Sequence, residues 1–308
     1  TAVGFAALEE NTTGTANVAV GSLSLDANTS GAYNTSIGYG TLTLNTTGND
    51  NTAVGINSLA ANTTAANNTA VGSSALEGNT TGTDNVAVGH QTMDANTTGD
   101  NNVAIGKSAL GANTTADDNT AVGYAALTSN TTGIQNNAVG SSSLYSNTTG
   151  NYNTAVGQAT LYANTTGHSN TAIGDNASQF NTTGYSNISI GVDSGRANTT
   201  GAENTCVGLL AGRYHSANYN TFLGSRAGYA TTSSENVIIG AYGGSSNTSS
   251  YHHVLIGYNA QSNSATGSNT ENVIGHSVTG IGSGYNTLGG NANRTYNQQG
   301  SASWSGTS

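Results

Sequence analysis

A 17-residue repeat constrains this chain more than any other feature. A Gly preceded by Val or Ile recurs in thirteen units spaced 17 residues apart without a slip, at positions 4, 21, 38, 55, 72, 89, 106, 123, 140, 157, 174, 191 and 208. The pattern continues at Gly224, Gly240, Gly257 and Gly275, with spacings of 16, 16, 17 and 18 residues. Low-complexity disordered sequence has compositional bias but does not keep phase over such a length. The chain therefore folds as a stack of repeated units.

Each unit carries one strand signal. The consensus is Asn-Thr-Ala-Val-Gly-x-x-Ala-Leu-x-x-Asn-Thr-Thr-Gly-x-x, and its short β-branched segment, such as Thr52 to Val54, ends at the Gly. A weaker second segment follows, such as Ala126-Leu127, and Asn-Thr-Thr-Gly is typical of a turn. No window has helical periodicity. We predict an all-β fold, a parallel β-solenoid (β-roll) of 17-residue coils. At ~4.8 Å per coil, seventeen coils would make a rod on the order of 80 Å long.

Three columns of side chains are expected to form the core. Along a strand, neighbouring residues point to opposite faces, so one face carries Val and the other carries Ala. A Leu four residues after the Gly is expected to share one compartment with the Ala, while the Val face needs separate cover. The predicted core ladder is represented by Val54, Val71, Val88, Leu59, Leu76, Ala53 and Ala70.

The bulk of the core changes position along the chain. The Leu column ends at Leu161 and is followed by Ser and Gly, while the small strand residue is replaced by larger ones from Phe222 onward. Since volume-conserving exchanges are tolerated best in a packed interior, we infer that bulk moves between the two columns around Cys206. Three regions follow: regular repeats in 1–205, variant repeats with a bulkier core strand in 206–280, and an aperiodic C-terminal tip in 281–308.

The coils at Gly191 and Gly208 have neither bulky residue. The units at Gly191 and Gly208 combine a small central strand residue with a Gly at the Leu position. An interior this empty would lose contacts, so another side chain is expected to enter it. The candidates are Phe180, or Leu209 with Leu210.

Two large apolar residues per coil make a small core for one chain. Ordering the backbone costs ~1–2 kcal/mol per residue, and a buried Val or Leu returns roughly 1.5–3 kcal/mol. With apolar residues on both strand faces, the Val face is best covered by further copies of the same chain. We expect a homo-oligomer with its coils in register, and a homotrimeric rod is the simplest closed arrangement.

Composition removes several functional classes from consideration. Five Lys and Arg stand against fifteen Asp and Glu, a formal net charge of -10, and charged residues are only 6% of the chain. We expect no nucleic-acid binding and no membrane insertion, because basic residues are few and no apolar run approaches ~20 residues. A single Cys206 forms no disulfide framework. We predict no cofactor and no metal. The chain opens in mid-pattern at Thr1, so a preceding segment is expected.

Several units resemble those of known fibrous proteins. The stretches Asn-Val-Ala-Val-Gly (85–89), Asn-Val-Ile-Ile-Gly (236–240) and Val-Leu-Ile-Gly-Tyr-Asn-Ala (254–260) resemble the head repeats of trimeric autotransporter adhesins, whose repeat is usually shorter. A closer resemblance, over 1–275, is to repeat-rich phage tail fibres and related bacterial surface fibres. It implies a structural and adhesive fibre, extracellular on a virion tail or a bacterial surface, with a surface glycan or other receptor as partner.

The last segment resembles the end of a processed fibre. In many such fibres a stretch like 281–308 leads into an endosialidase-type intramolecular chaperone, which is cut off after a Ser. The resemblance implies that Ser308 is the autocleavage end. Receptor contacts are predicted at this tip, at Tyr285, Arg294, Tyr296 and Trp304.

Other motifs have plain interpretations, and three alternatives stay open. The Asn-Thr-Thr triplets fit glycosylation sequons, but stacked Asn and Thr ladders are favoured. The His residues, including the adjacent pair His252 and His253, are interpreted as solvated. No catalytic constellation is present, so an enzyme is not expected.

The alternatives to a virion fibre are a bacterial extracellular filament or adhesin, and an ice-binding β-solenoid that uses the Thr arrays. Exposed Tyr residues could stack on sugars, although ordinary surface or inter-subunit contacts are favoured.

Overall fold

A computed structural model describes residues 1–246, 251–263, 270–290, 294–299 and 303–307. It divides into two units, Thr1–Asn153 and Thr154–Ser308. Each unit is a parallel β-solenoid with coils of about 17 residues, as predicted, and the described ranges contain no helix.

The first unit is a stack of nine strands. Each strand pairs with the next in parallel, and a residue lies beside the residue 17 positions further on, as Ala53 lies beside Ala70. Equivalent residues of successive coils therefore form straight columns. The strands are β1 (Ala2–Val3), β2 (Val18–Val20), β3 (Thr35–Ile37), β4 (Thr52–Val54), β5 (Thr69–Val71), β6 (Val86–Val88), β7 (Val103–Ile105), β8 (Thr120–Val122) and β9 (Asn137–Val139).

The second unit continues this pattern and then ends it. Eight strands stack in parallel, with register steps of 16 to 18 residues where the spacing of the Gly residues changes. They are β10 (Thr154–Val156), β11 (Thr171–Ile173), β12 (Ile188–Ile190), β13 (Thr205–Val207), β14 (Thr221–Leu223), β15 (Val237–Ile239), β16 (Val254–Ile256) and β17 (Asn272–Ile274). The strand β18 (Tyr285–Gly289) pairs in parallel with β17, and then β19 (Arg294–Gln298) and β20 (Ser305–Thr307) add in antiparallel fashion.

Strand alternation separates the interior of the coil from its outer surface. The central residue of each three-residue strand points inward, and Ala53 has no exposed surface. The flanking residues point outward, so Thr52 and Val54 are half-buried and Val71 is 37% exposed. Val54, Val71 and Val88, which the sequence predicts as members of the core ladder, therefore lie outside the interior of the coil. Ala53, Ala70, Leu59 and Leu76 do lie in it, all fully buried.

The remainder of each coil is a series of turns. The segment after the Gly is not a second strand, because two of its residues have left-handed backbone angles: Asn57 has φ 55° and Leu59 has φ 52°. Hydrogen bonds between coils still continue around it, as Leu59 donates its N–H to the carbonyl of Ala75 at 3.0 Å. The inward Leu column therefore comes from turns that reverse the chain around a narrow interior.

The two columns share one compartment in the second unit. A Cβ added to Gly212 would lie 2.7 Å from both Cys206 Sγ and Phe222 Cδ2, and one on Gly244 would lie 2.5 Å from Ile238 Cδ1. The position that carries Leu in the first unit thus faces the central strand residue directly. The predicted movement of bulk from one column to the other is confirmed in these coils.

The coils at Gly191 and Gly208, which lack a bulky core residue, are filled by other side chains than those predicted. Phe180 is 43% exposed and Leu209 is 51% exposed, so the expectation that they enter the core is wrong. His215 occupies the interior instead, with its ring edge-on to Phe222 at a centroid distance of 5.8 Å. In the preceding coils a Ser178–Ser189 hydroxyl hydrogen bond of 2.7 Å takes the place of apolar contacts.

Buried Asn residues form two continuous ladders. In the first, Asn62 donates from Nδ2 to Oδ1 of Asn45 at 2.8 Å and to the carbonyl of Ala65 at 3.1 Å. In the second, Oδ1 of Asn85 accepts from the backbone N–H of Asn102 at 2.9 Å. The ladder interpretation is confirmed. Asn62 is fully buried and its Nδ2 is engaged, which is the atom that glycosylation would need.

Candidate functional site

The outward face of the strands is the most regular surface of the molecule. We call it the strand face and define it in each unit separately, by the first and third residues of β2–β9 in the first unit and of β10–β17 in the second. Its third position is Val, Ile or Leu in every coil, its first is Thr, Val, Ile or Asn, and no charged residue occurs at either. In the first unit the third-position residues exposed by more than a third are Val20, Ile37, Val71, Ile105 and Val139.

Its geometry follows from the parallel pairing. Side chains repeat at about 4.8 Å from coil to coil and about 6.6 Å from first to third position along a strand. Because the register is unbroken from β2 to β9, the columns stay straight through the first unit. Most residues of this face are Val, Ile or Thr, and their branched side chains have few χ1 rotamers. The face is therefore rigid as well as flat.

The Thr columns at the turns are used differently from one another. The hydroxyl of Thr63 donates to the carbonyl of Thr80 at 3.2 Å, and Thr80 repeats this contact with Thr97 at 2.9 Å. The second Thr of each triplet, such as Thr64, is exposed. The column formed by the first Thr of each triplet therefore stabilises the stack of coils, and the column formed by the second Thr faces solvent.

The predicted tip residues lie on the strands that end the second unit. The rings of Tyr285 on β18 and Tyr296 on β19 approach edge-on with centroids 6.3 Å apart, and Trp304, before β20, is 49% exposed. The structure thus brings the two Tyr residues together. The side chain of Arg294 and the whole of Ser308 lie outside the described residues.

The histidines divide into exposed and buried members. His252 is exposed and pairs with Glu235. His215 and His253 are buried, which contradicts the prediction that they are solvated. His253 takes the place of an Asn in the second ladder and donates its backbone N–H to Asn236 Oδ1 at 3.1 Å. Position in the repeat, four residues before Gly257, was the signal that could have identified its burial.

Burial controls the titration of the interior groups. Desolvation lowers the pKa of His215 to about 4, partly opposed by its contact with the carbonyl of Gly212, and lowers that of His253. Desolvation likewise raises the pKa of the buried Cys206 thiol, which keeps it protonated and inert. Within the described ranges, no group of three or more His, Cys, Asp or Glu side chains is arranged to hold a metal ion.

Comparison of the chain with protein-family models, with curated proteins and with solved structures finds no match. A search of the described residues for a helix of sufficient length and hydropathy to cross a membrane also finds none.

Proposed function

We propose that this chain is a rigid structural and adhesive segment of an extracellular fibre, on a virion tail or a bacterial surface. Its copies associate side by side through the strand face as a homotrimer. The single observation that carries the proposal is the uncharged, partly exposed Val and Ile column, which repeats in strict register through the first unit. Contiguous exposed apolar surface of this kind marks interaction sites.

A second copy of the same chain is the occupant that fits this surface best. Its columns have the same repeat, so every coil can make the same contact with its counterpart. No acidic residue occupies the strand face, so like charges do not meet directly in such a contact. The antiparallel strands β19 and β20 cover the edge of β18, which favours lateral over end-to-end contact at that end.

Light scattering on the purified full chain tests this proposal. We expect a species near three times the 30.6 kDa chain mass. The double variant Val54→Glu with Val88→Glu should reduce it to one chain, since it places unpaired charges in the interface. The matched control is Thr64→Glu with Thr98→Glu on the exposed turn column. A wild-type protein that stays at one chain mass at all concentrations, or an equal effect of the control, would overturn the proposal.

Ice binding is a second candidate, favoured by one specific observation. The strand face offers two outward positions per coil, as in Thr52 and Val54, in a flat array that no charge interrupts. Such an array of hydroxyl and methyl groups can order water. Thermal hysteresis in a protein of one chain mass would support this candidate. Loss of hysteresis in Val54→Glu with Val88→Glu, but not in the turn control, would place it on the strand face.

A further inference from the structure

Basic residues are concentrated in a few coils of the second unit. The first unit has one basic residue, Lys107, against ten acidic residues, whereas the second has four Arg against five acidic residues. Arg196, Arg213 and Arg226 lie in three successive coils. The same repeat position that carries Arg213 carries Asp94 in the first unit. The sign of the charge at this position therefore reverses along the sequence.

These arginines are stacked on exposed aromatic rings. We call the group Arg213, Tyr214, Arg226, Tyr229 and Tyr242 the Arg–aromatic stripe. The guanidinium of Arg213 lies 5.2 Å from the ring centre of Tyr214, and that of Arg226 lies 5.5 Å from Tyr242 and 6.0 Å from Tyr229. Tyr214 and Tyr229 meet edge-on at 5.1 Å. Cation–π contacts of this kind hold each guanidinium in a fixed plane.

The stripe continues to both sides in the second unit. Arg196 stacks on Phe180 at 5.0 Å, and Tyr258 stacks on His276 at 5.2 Å. The ring of Tyr258 also lies 5.9 Å from that of Tyr242. The result is a run of aromatic surface along successive coils, in which Tyr242 is 38% and Tyr258 50% exposed.

Arg226 differs from its neighbours in having its donors open. Arg196 and Arg213 both approach Asp193, at 3.3 and 3.5 Å, and Arg196 also donates to Gln179. The exposed Arg226 makes no ion pair and no side-chain hydrogen bond with any residue that the structure describes. Its planar fork is oriented by two rings and directed at solvent, an arrangement that matches a carboxylate or a sulfate in bidentate fashion.

We infer that the Arg–aromatic stripe binds an acidic polysaccharide. Pyranose rings stack on the faces of Tyr214 and Tyr242, and a carboxylate or sulfate of the same chain accepts hydrogen bonds from Arg226. A glycan is favoured over a nucleic acid, because a unit with four Arg against five acidic residues has no net positive charge to attract a phosphate backbone. A glycan needs only one acidic group at Arg226 beside sugar rings that stack on the Tyr residues. The inference rests on the adhesive part of the proposed function and supplies its ligand class. It places that ligand on the side of the solenoid, away from the predicted tip.

Titration calorimetry of the full chain with three polymers tests the inference. The probes are polygalacturonate for carboxylates, dextran sulfate for sulfates, and neutral dextran. We expect binding to one or both acidic polymers, weakened by added salt, and none to dextran. Binding to polygalacturonate alone identifies a carboxylated ligand, and binding to dextran sulfate alone identifies a sulfated one.

Variants separate the stripe from general charge. Arg226→Gln should lower the affinity roughly tenfold, the effect of losing one charge-assisted contact. Arg226→Lys, which keeps the charge but not the fork, should recover only part of it. Tyr242→Ala, which removes a ring on which the glycan stacks, should also weaken binding. Lys107→Gln is the control for the charge lost in Arg226→Gln, and Tyr124→Ala, which removes an exposed Tyr of the first unit, is the control for Tyr242→Ala. Both controls should bind as the wild type does.

Three results would overturn the inference: no binding to either acidic polymer, equal losses in Lys107→Gln and Arg226→Gln, or full displacement by an oligothymidine. The chain mass is measured on the same samples by light scattering. A trimer that fails to bind glycan refutes only the stripe, while a monomer that binds glycan refutes only the lateral association.

Discussion

Backbone conformations with positive φ recur at fixed positions of the repeat. The Gly that ends each strand has φ near +130°, a region open only to Gly. At Gly123, with φ +138°, a Cβ would also lie 2.6 Å from the carbonyl oxygen of Gly140 in the next coil. Both the dihedral angle and the close approach explain why this position never varies. Leu59 and its equivalents are left-handed as well, and burial of the side chain offsets a strain of roughly 1–2 kcal/mol.

Gly123→Ala is expected to destabilise the fold by about 2–4 kcal/mol, because the strained φ and the contact with Gly140 add together. Gly111→Ala is the matched control. Its Cβ would meet nothing nearer than 3.4 Å, and its φ lies outside the left-handed region. Thermal unfolding followed by circular dichroism should show a large loss for the first variant and a change within about 0.5 kcal/mol for the second. Equal effects would contradict this explanation of the Gly column.

His215 should make the fold sensitive to acid. Its pKa is lowered to about 4 in the folded chain, against 6.5 in the unfolded chain, so the unfolded state binds the proton first. Above pH 6.5 His215 is neutral in both states and does not reduce the free energy of unfolding. As the pH drops from 6.5 towards 4, the free energy of unfolding falls by about 3 kcal/mol, because this fully buried group stays neutral while the unfolded chain is protonated. His215→Asn, which restores the residue type of the first ladder, should lose less stability between pH 7.5 and 4. Parallel pH profiles of the two proteins would show this prediction to be wrong.

Within each coil, strand and turn cooperate to fill one narrow compartment. The strand supplies one inward side chain and the turn supplies another, and their volumes are exchanged along the sequence. Ala53 with Leu59 represents one solution, and Phe222 with Gly228 the other, in which the side chain of Phe222 occupies the space that a Leu would take. The two Asn ladders fill other parts of the coil interior, where side-chain amides bond to backbone carbonyls, as Asn62 does to Ala65 and Asn102 does to Ala116.

A double-mutant cycle tests this exchange of volume. Phe222→Ala alone should cost about 3–5 kcal/mol by opening a cavity, and Gly228→Leu alone about 1–3 kcal/mol by overpacking. The double variant recreates the Ala–Leu pair of the first unit, so its loss should be smaller than the sum by about 2 kcal/mol. Denaturant unfolding of the four proteins gives the coupling. Additive losses would mean that the two positions do not share a compartment.

At the level of the whole molecule, the surfaces have different tasks. The strand face of each unit is uncharged and regular, the turns carry the acidic residues and the Arg–aromatic stripe, and β18–β20 end the second unit. Parallel solenoids leave unpaired backbone groups at their last coil, which can recruit another chain. The antiparallel pair β19 and β20 covers the edge that β18 would otherwise present.

Ending the chain after Gly290 should therefore produce larger assemblies. Removal of β19 and β20 exposes the N–H and C=O groups of β18, and light scattering should detect a concentration-dependent mass above that of the full chain. Adding Leu288→Lys to the shortened chain should reverse the effect, because a charge on an edge strand opposes pairing. If the shortened chain keeps the mass of the full chain, β19 and β20 are not a protective cap.

The repeat by itself determined the parallel solenoid, the strand in each coil, the shared Ala and Leu compartment and the Asn ladders. These features depend on residues 17 positions apart, so the period of the sequence is also the period of the contacts. The tertiary structure alone decided the left-handed turns, the burial of His215 and His253, and the outward position of Val54. It also revealed the Arg–aromatic stripe, which composition does not indicate. Arg226 and Tyr242 hold the same repeat position in successive coils, whereas Tyr229 lies three residues further along its coil, and the turn brings the three side chains together in space.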